Sequence, residues 1–464
     1  MLMMQLPRSG IHIIGIGGAG MSAIARVLIG QGYQVSGSDA KDSKRLLALA
    51  QLGVTTFVGH APANLTDAQL VVTSTAIPES NIEIQIAKSR NIPVISRAAA
   101  LQLIVAAAQV VAVAGTHGKT TTTSMTTVAL QSLGMDPSFI IGSELNETGS
   151  NGHAGSNDLF LVEADESDGT FLSLQPAIGV ITNIEADHLD RWNSLTEIEE
   201  AFFKFGRNCK IGVVICVDDP GAAKVAAQLA AAGVKVLSYG FSELAKLQLT
   251  NLSVKASLWQ SQLHLDGVEL GVLKLQVPGQ HNLLNATAAI GVGILLNLDP
   301  KALMSGLEMF SGTRRRFELR GTVNQISVYD DYAHHPTEVA ATLQAAREVV
   351  GAGKIVVVFQ PFRYYRVNAF LTEFADALKL ADRVAVMETY APGEAAIAGA
   401  GGAAVAAAIE LPNSAVTFEP SFLKVVDVIT NWVSPGDIVL TLGAGDMAML
   451  APEIVAGLER KFNE

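Results

Sequence analysis

Val110-Val111-Ala112-Val113-Ala114-Gly115-Thr116-His117-Gly118-Lys119-Thr120-Thr121 is an apolar run that ends in a glycine turn, a lysine and two hydroxyls. The run predicts a buried parallel strand. Thr120–Leu133 behind it has the length of a helix. Strand, turn, lysine and helix N-terminus together make a phosphate cradle. Backbone N–H groups line the turn, the helix dipole adds positive potential, and Lys119 adds a full charge. The hydroxyl of Thr120 is placed to hold Mg²⁺. Val113 and Ala114 stand where the full phosphate-loop pattern has its first glycine. The bland alternative is a tight strand-to-helix turn with a solvated lysine. ATP binding by Gly115, Thr116, His117, Gly118, Lys119, Thr120 and Thr121 is the expectation.

The chain has 464 residues, 49% apolar and 16% charged. That length allows two to four domains with a sizeable core, and that composition excludes disorder for the bulk of the chain. A net charge of −12 argues against a nucleic-acid partner, which needs a basic footprint. Cys209 and Cys216 make neither a disulfide framework nor metal-site spacing. Met1–Gly10 lacks the pattern of a secretory leader. No apolar run reaches the roughly 18 residues of a membrane span. A cytoplasmic protein without membrane insertion is expected.

Three blocks succeed one another: 1–107, 108–312 and 313–464. In the first, apolar runs at Ile11–Gly15, Gln34–Gly37, Leu70–Ser74 and Ile92–Ile95 alternate with helix-length segments such as Met21–Gln31 and Lys41–Leu52. This predicts a Rossmann-like parallel sheet with helices on both faces. The second carries the phosphate loop, strands near Leu159–Ala164, Ile178–Asn183 and Val213–Val217, and an antiparallel appendage between Leu247 and Val277. A helix follows over Asn282–Leu296. The third is again Rossmann-like, with strands at Gln325–Tyr329, Lys354–Phe359, Arg383–Met387 and Ile438–Leu442. Helices are expected over Thr337–Val350 and Val367–Leu380. The fold class is α/β in three domains.

Gly15-Ile16-Gly17-Gly18-Ala19-Gly20 matches G-x-G-x-x-G after a strand and before a helix, with Asp39 closing the next strand. This spacing suits a diphosphate on a helix N-terminus and a ribose hydroxyl on an acid. NAD and a UDP-sugar satisfy it equally. His60, Ser74 and Thr75 lie at later strand ends of the same sheet. Further on, Leu159–Asp168 runs from an apolar strand into Glu163, Asp165, Glu166 and Asp168. Acids at a strand end beside a phosphate loop suit Mg²⁺, with Glu163 the first candidate ligand. His188 at the end of the following strand is a candidate for a second ion. Asp187 and Asp190 read alternatively as helix caps.

Taken together these segments resemble the Mur ligases, the ATP-dependent peptide ligases of peptidoglycan synthesis. The match runs through GTHGKTTTT (115–123), EADESD (163–168), NIEADHLD (183–190), PGQHNLLN (278–285), RRRF (314–317), DDYAHHPTE (330–338), QPFRYYR (360–366) and Gly443–Asp446. It covers nearly the whole chain. The resemblance implies attachment of L-alanine to the carboxylate of UDP-N-acetylmuramate through an acyl phosphate, with release of ADP and phosphate. It implies Mg²⁺ as cofactor, with Mn²⁺ able to substitute, and a monomer or homodimer. Lys119, His188 and one of His334 and His335 would be catalytic. Thr120, Glu163 and His188 would hold metal. Asn282, Asn285, Arg315 and Asp331 would join the ATP site. Gly17, Gly18, Ala19, Gly20, Met21, Ser38, Asp39, His60, Ser74 and Thr75 would bind the sugar nucleotide. Arg363, Arg366 and Tyr332 would hold the amino acid, since an arginine fork pairs well with a carboxylate.

Departures from the family pattern are Phe362 in place of a common histidine, Tyr365 in place of a small hydroxyl, and Ala333 in place of a glycine. Ala201 or Phe202 stands where some relatives carry a carboxylated lysine, so no modified lysine is expected. Three other readings compete, one of them a nucleotide-gated binding protein that would bind ATP without releasing phosphate. A nicotinamide-dependent dehydrogenase leaves the phosphate loop and EADESD unexplained. A sister ligase that attaches a recycled tripeptide shares nearly every motif.

Overall fold

Short apolar runs build the first sheet of the computed structural model, which describes residues 5–167, 169–188, 191–255 and 258–463. Asp168 of the acidic run and Asp190, a candidate cap, lie outside the described residues. The strands are β1 (Ile11–Ile14), β2 (Val35–Asp39), β3 (Thr55–Val58), β4 (Leu70–Thr73) and β5 (Val94–Ser96). They are all parallel, in the order β3-β2-β1-β4-β5. Helices α1 (Ala19–Gly30), α2 (Lys44–Gln51), α3 (Ile82–Ser89) and α4 (Arg97–Val105) connect them. The order reverses at β1, so the crevice at the carboxyl ends of β1, β2 and β4 is where such a sheet takes ligands. The strand β3 has little apolar signal because two of its four residues are threonines and Val58 is exposed.

The second sheet has ten strands: β6 (Gln109–Ala114), β7 (Ser138–Ile140), β8 (Gly152–His153), β9 (Leu159–Glu163), β10 (Ile178–Ile181), β11 (Gly212–Cys216), β12 (Val236–Gly240), β13 (Leu247–Lys255), β14 (Leu258–Leu265) and β15 (Val268–Leu275). Strand β6, which feeds the phosphate loop, lies between β9 and β10 and is parallel to both. That pairing fixes the chemistry. The acids that follow β9 and the Thr182–His188 segment that follows β10 must both emerge beside Gly115–Thr121. The turn between β14 and β15 has φ of 47° at Asp266 and 80° at Gly267, a hairpin conformation that the Asp-Gly pair favours.

Helix α5 (Lys119–Ser132) reads as polar, KTTTTSMTTVALQS, yet Thr120 to Leu130 are all buried. The conflict is resolved within the helix. The hydroxyls of Thr123, Ser124, Thr126 and Thr127 each donate to the carbonyl four residues back, at 2.7–2.8 Å. The buried oxygens are thus satisfied locally. Helices α6 (Leu195–Arg207), α7 (Pro220–Ala231), α8 (Gln280–Leu295) and α9 (Pro300–Leu307) complete this part.

The third sheet comprises β16 (Glu318–Val323), β17 (Ile326–Asp331), β18 (Ile355–Phe359), β19 (Arg383–Val386), β20 (Val416–Phe418) and β21 (Ile438–Leu442), in the order β16-β17-β21-β18-β19-β20. Only the β16–β17 pair is antiparallel. Helices α10 (Pro336–Val350), α11 (Tyr364–Leu378), α12 (Gly402–Ala408), α13 (Phe422–Trp432) and α14 (Met447–Asn463) cover both faces. Val357, Phe359 and Leu440 pack on one side, and Val356, Val358 and Val439 on the other. This explains the unbroken apolar runs. Contacts group the chain into two compact units: Met1–Leu252 with Ser261–Lys274 and Leu284–Phe310, and Ser253–Gln260 with Leu275–Leu283 and Ser311–Glu464. The first two sheets belong largely to one, the third to the other. Among the described residues no helix is long and apolar enough to cross a membrane.

Candidate active site

The phosphate loop is braced from β10. Asn183 accepts from the His117 amide at 2.7 Å, and its carbonyl accepts from the Thr116 amide at 3.1 Å. Thr182 donates its hydroxyl to the His117 carbonyl at 2.5 Å. Gly115 has φ of 139°, and a Cβ there would lie 2.0 Å from the Thr182 hydroxyl. Only glycine fits. Gly118, with φ of 79°, begins helix α5, and a Cβ there would meet Asn285 at 2.7 Å. Asn285 also accepts from Thr122 at 3.0 Å, so it stands beside the loop. Asn282 donates to the Pro278 carbonyl at 2.6 Å. The first-turn amides of α5 have no preceding helical carbonyl and are available to an anion. Thr116, Thr120 and Thr121 are buried around them.

Lys119 turns back over this loop. Its ammonium donates to the carbonyls of Gly115 (2.6 Å) and Thr116 (3.1 Å) and to the Glu166 carboxylate (2.8 and 3.0 Å). Burial alone would favour neutral lysine, but the charges of Glu166, Asp165 and Glu163 raise its pKa and keep it protonated. Burial pushes Glu166 up to about 7, against the pull of Lys119. The carboxylate is thus the charged partner of the Lys119 ammonium.

Glu163 ends β9 with Oε1 accepting from Thr120 Oγ1 at 3.0 Å and Oε2 accepting from the Gly142 amide at 2.6 Å. Adjacent ligand oxygens of an octahedral Mg²⁺ ion stand about 2.9 Å apart. The Thr120–Glu163 pair fits that edge. His188 approaches a different pair of acids, with Nε2 3.6 Å from Asp187 and 3.9 Å from Glu166. Its φ of 51° is unusual for a residue with a Cβ.

At the first sheet, Gly17 donates its amide to Asp39 at 3.0 Å, so the acid that ends β2 braces the glycine loop. Helix α1 starts at Ala19, and the amides of Ala19, Gly20 and Met21 form its open first turn. The Met21 side chain is buried in the core, which leaves only its backbone for a ligand. Ser74 and Thr75 follow β4, in a turn closed by the Ile77 amide on the Ser74 carbonyl. Ser38 and His60 bond to one another at 2.9 Å.

One residue absent from the expected set joins the two loops. Arg97 opens α4, and a Cβ on Gly20 would lie 2.8 Å from its guanidinium. The same guanidinium is 3.9 Å from Asp165. A lone arginine outside every motif gave no signal of this. Only the fold brings the end of the first sheet to the acids of the second.

In the other unit, Arg315 is turned inward. Its guanidinium donates to Asp330 (3.1 Å) and to the carbonyls of Gly445 (3.3 Å) and Gly443 (2.7 Å), and it lies over the Tyr332 ring at 4.9 Å. The guanidinium thus ties Asp330 to the 443–445 loop. Asp331 takes the amides of Phe317 and Ala333, each at 2.7 Å, and burial pushes its pKa up to about 6. Ala333 is buried with negative φ, so its methyl group is accommodated. The Nδ1 of His334 is 2.9 Å from the Tyr332 carbonyl, so Nδ1 carries a proton and, in the neutral ring, the lone pair lies on Nε2. His335 is the N-cap of α10, its ring accepting from the Thr337 amide.

Residues three apart, such as Arg363 and Arg366, share a face when both are helical. Here α11 begins at Tyr364, and Arg363 precedes it with φ of 71°. The two arginines meet on Phe362, whose ring centroid is 5.3 Å from one guanidinium carbon and 5.6 Å from the other. Arg363 also reaches the Pro392 carbonyl at 3.2 Å and Glu394 at 3.5 Å, while Arg366 is buried.

Models of the Mur ligase family match three consecutive stretches: the family's catalytic domain at 10–109, its middle domain at 113–293 and its glutamate ligase domain at 315–445. The UDP-N-acetylmuramate–L-alanine ligase of Acidothermus cellulolyticus is 49% identical over 97% of this chain and 95% of its own length. That of Saccharopolyspora erythraea is 47% identical over 97% and 94%. The crystal structure of UDP-N-acetylmuramate-alanine ligase from Thermotoga maritima superposes with a TM-score of 0.84 at 32% identity, covering 98% of this chain and 99% of that one. Motif order, three-sheet architecture and end-to-end similarity agree, and the chain belongs to the Mur ligase family.

Proposed function

We infer that the protein joins L-alanine to the carboxylate of UDP-N-acetylmuramate at the expense of ATP. The observation that carries this reading is the Gly20–Arg97–Asp165 contact, which brings a diphosphate-type loop to the acidic edge of a triphosphate-type loop. Relatives at up to 49% identity that bear this activity in their names support it. A dehydrogenase would have no use for the second loop.

On this reading 1–107 takes the sugar nucleotide, 108–312 takes ATP and 313–464 takes the amino acid, in the cytoplasm. Lys119 exchanges Glu166 for phosphate oxygens and neutralises charge that gathers on them in transfer to the muramate carboxylate. Thr120 and Glu163 would hold a Mg²⁺ ion, which supplies further charge neutralisation when bound. The alanine amine must lose a proton as it attacks the acyl carbon. His334 is assigned this proton, because its lone pair lies at Nε2. His335 is assigned a capping role. Arg363 and Arg366 receive the alanine carboxylate.

Phosphate release from ATP should require both UDP-N-acetylmuramate and L-alanine, with glycine, serine and the tripeptide less effective. Release driven by the tripeptide rather than alanine would establish the sister activity. For the arginines, Arg363→Ala or Arg366→Ala should raise the KM for alanine by about tenfold or more, as expected for a charge-assisted pair. Unchanged KM for alanine in both variants removes that assignment.

A further inference from the structure

The carboxyl edge of the first sheet hides a charged group that the ligation chemistry does not use. Glu83, in the first turn of α3, is fully buried. Its Oε2 accepts from Ser38 Oγ at 2.5 Å and lies 3.3 Å from His60 Nδ1 and 3.5 Å from His12 Nε2. Its Oε1 accepts from Asn64 at 2.6 Å and from the Ala61 amide at 3.1 Å. Burial pushes its pKa up, but nearby His12 and the bonds from Ser38 and Asn64 outweigh that and hold it at about 2. An ionised carboxylate is therefore built into the floor of the sheet, and it accepts at both oxygens.

The bond lengths settle a proton count. Ser38 has one hydroxyl proton and two neighbours, Glu83 at 2.5 Å and His60 Nδ1 at 2.9 Å. Two oxygens at the shorter distance repel unless a proton lies between them, so Ser38 donates to Glu83. Ser38 must then accept from His60. The proton of the neutral imidazole is thereby fixed on Nδ1, and the lone pair on Nε2. The His60 side chain is still 19% exposed, although its Nδ1 edge faces a fully buried carboxylate. His60 follows β3 on the same edge as the glycine loop. The Gly59 amide donates to the Asp39 carbonyl at 2.7 Å, and Asp39 in turn holds Gly17. The histidine is thus tied to the diphosphate loop through two hydrogen bonds.

We propose that Glu83 is a positioning residue that presents His60 Nε2 as a hydrogen-bond acceptor to a donor group of the uridine moiety, and that this pair contributes nucleoside selectivity. The inference rests on reading the first sheet as the sugar-nucleotide site. Uracil offers N3–H where cytosine offers a lone pair. A ribose hydroxyl offers the same donor chemistry. An acceptor at Nε2 rewards the donor and repels the lone pair.

Calorimetric titration with UDP, CDP and 2′,3′-dideoxy-UDP tests it on the wild type, Glu83→Gln, His60→Ala, His60→Gln and the Glu83→Gln/His60→Ala double variant. The wild type should prefer UDP to at least one analogue. His60→Ala should weaken UDP about tenfold and remove that preference, the scale of one lost hydrogen bond. Glu83→Gln should do the same to a smaller extent, and should add nothing in the His60→Ala background. His60→Gln, which keeps an acceptor, should recover part of the affinity. In steady-state assays the loss should fall on the KM for the sugar nucleotide, with kcat and the KM for ATP held within about twofold. Equal weakening by Glu83→Gln with and without His60 means a merely structural carboxylate and overturns the proposal. So does a wild type that fails to discriminate among the three nucleotides. A wild type that binds none of them instead overturns the reading of the site itself.

Discussion

Replacing Lys119 by methionine should lower kcat by about 10²–10³-fold, the scale of one preorganised donor on developing charge. The structure adds a second consequence. In the wild type the Glu166 carboxylate, pushed by burial to about 7, has Lys119 as its charged partner. Without the ammonium a buried acid is left uncompensated, and its pKa rises further. The sign follows from linkage. A folded-state pKa above the unfolded value means that the folded protein binds the extra proton, so stability falls as pH rises between the two values. In the wild type that fall lies between the ordinary glutamate value of 4.5 and about 7. In Lys119→Met it extends above 7. The variant should therefore lose more Tm relative to wild type at pH 8.5 than at pH 6. Adding Glu166→Gln should restore Tm at the higher pH and leave activity lost. A double variant as unstable as the single one would show that Lys119 and Glu166 are not coupled as described.

Much of this arrangement is legible in the residues because strand ends and glycine turns are local. The β6–loop–α5 unit, the acids after β9 and the glycine loop after β1 occupy the expected stretches within a residue or two. What escapes is set by tertiary placement. Strand β3 and the short edge strand β20 carry too few apolar residues to announce themselves. Arg97 belongs to no motif, yet it touches two of them. Glu83 belongs to no motif either, and only the fold brings Ser38, His60 and Asn64 onto it.

Backbone strain is equally invisible beforehand. His188, Arg315 and Arg363 have φ of 51°, 59° and 71°, where a side chain with a Cβ costs about 1 kcal/mol or more. Each is restrained by its surroundings. Arg315 is held by Asp330 and the 443–445 carbonyls, and Arg363 by Pro392 and Glu394. The strain aims these side chains in directions that a regular helix or strand would not allow. For the arginines, the helical i, i+3 argument fails for that reason, and the Phe362 ring provides the shared surface instead.

Glu163→Gln should also reduce kcat by about 10²–10³-fold, but through a different variable. The amide keeps an oxygen for Thr120 Oγ1 or the Gly142 amide, which stand at 3.0 and 2.6 Å from the native carboxylate. The loop geometry and Tm should therefore change little. What disappears is the negative charge that Glu163 would offer to a cation beside Thr120. A hard divalent cation is held mainly by such charge, so the Mg²⁺ concentration for half-maximal activity should rise by about an order of magnitude or more. Thr120→Val removes the other oxygen and should shift the same curve in the same direction. Chelation of the wild type should abolish turnover, and Mn²⁺ should restore it. If Glu163→Gln keeps the wild-type Mg²⁺ curve while kcat falls, the carboxylate acts on the loop rather than on an ion. The His188–Asp187–Glu166 group would then be a candidate place for the metal.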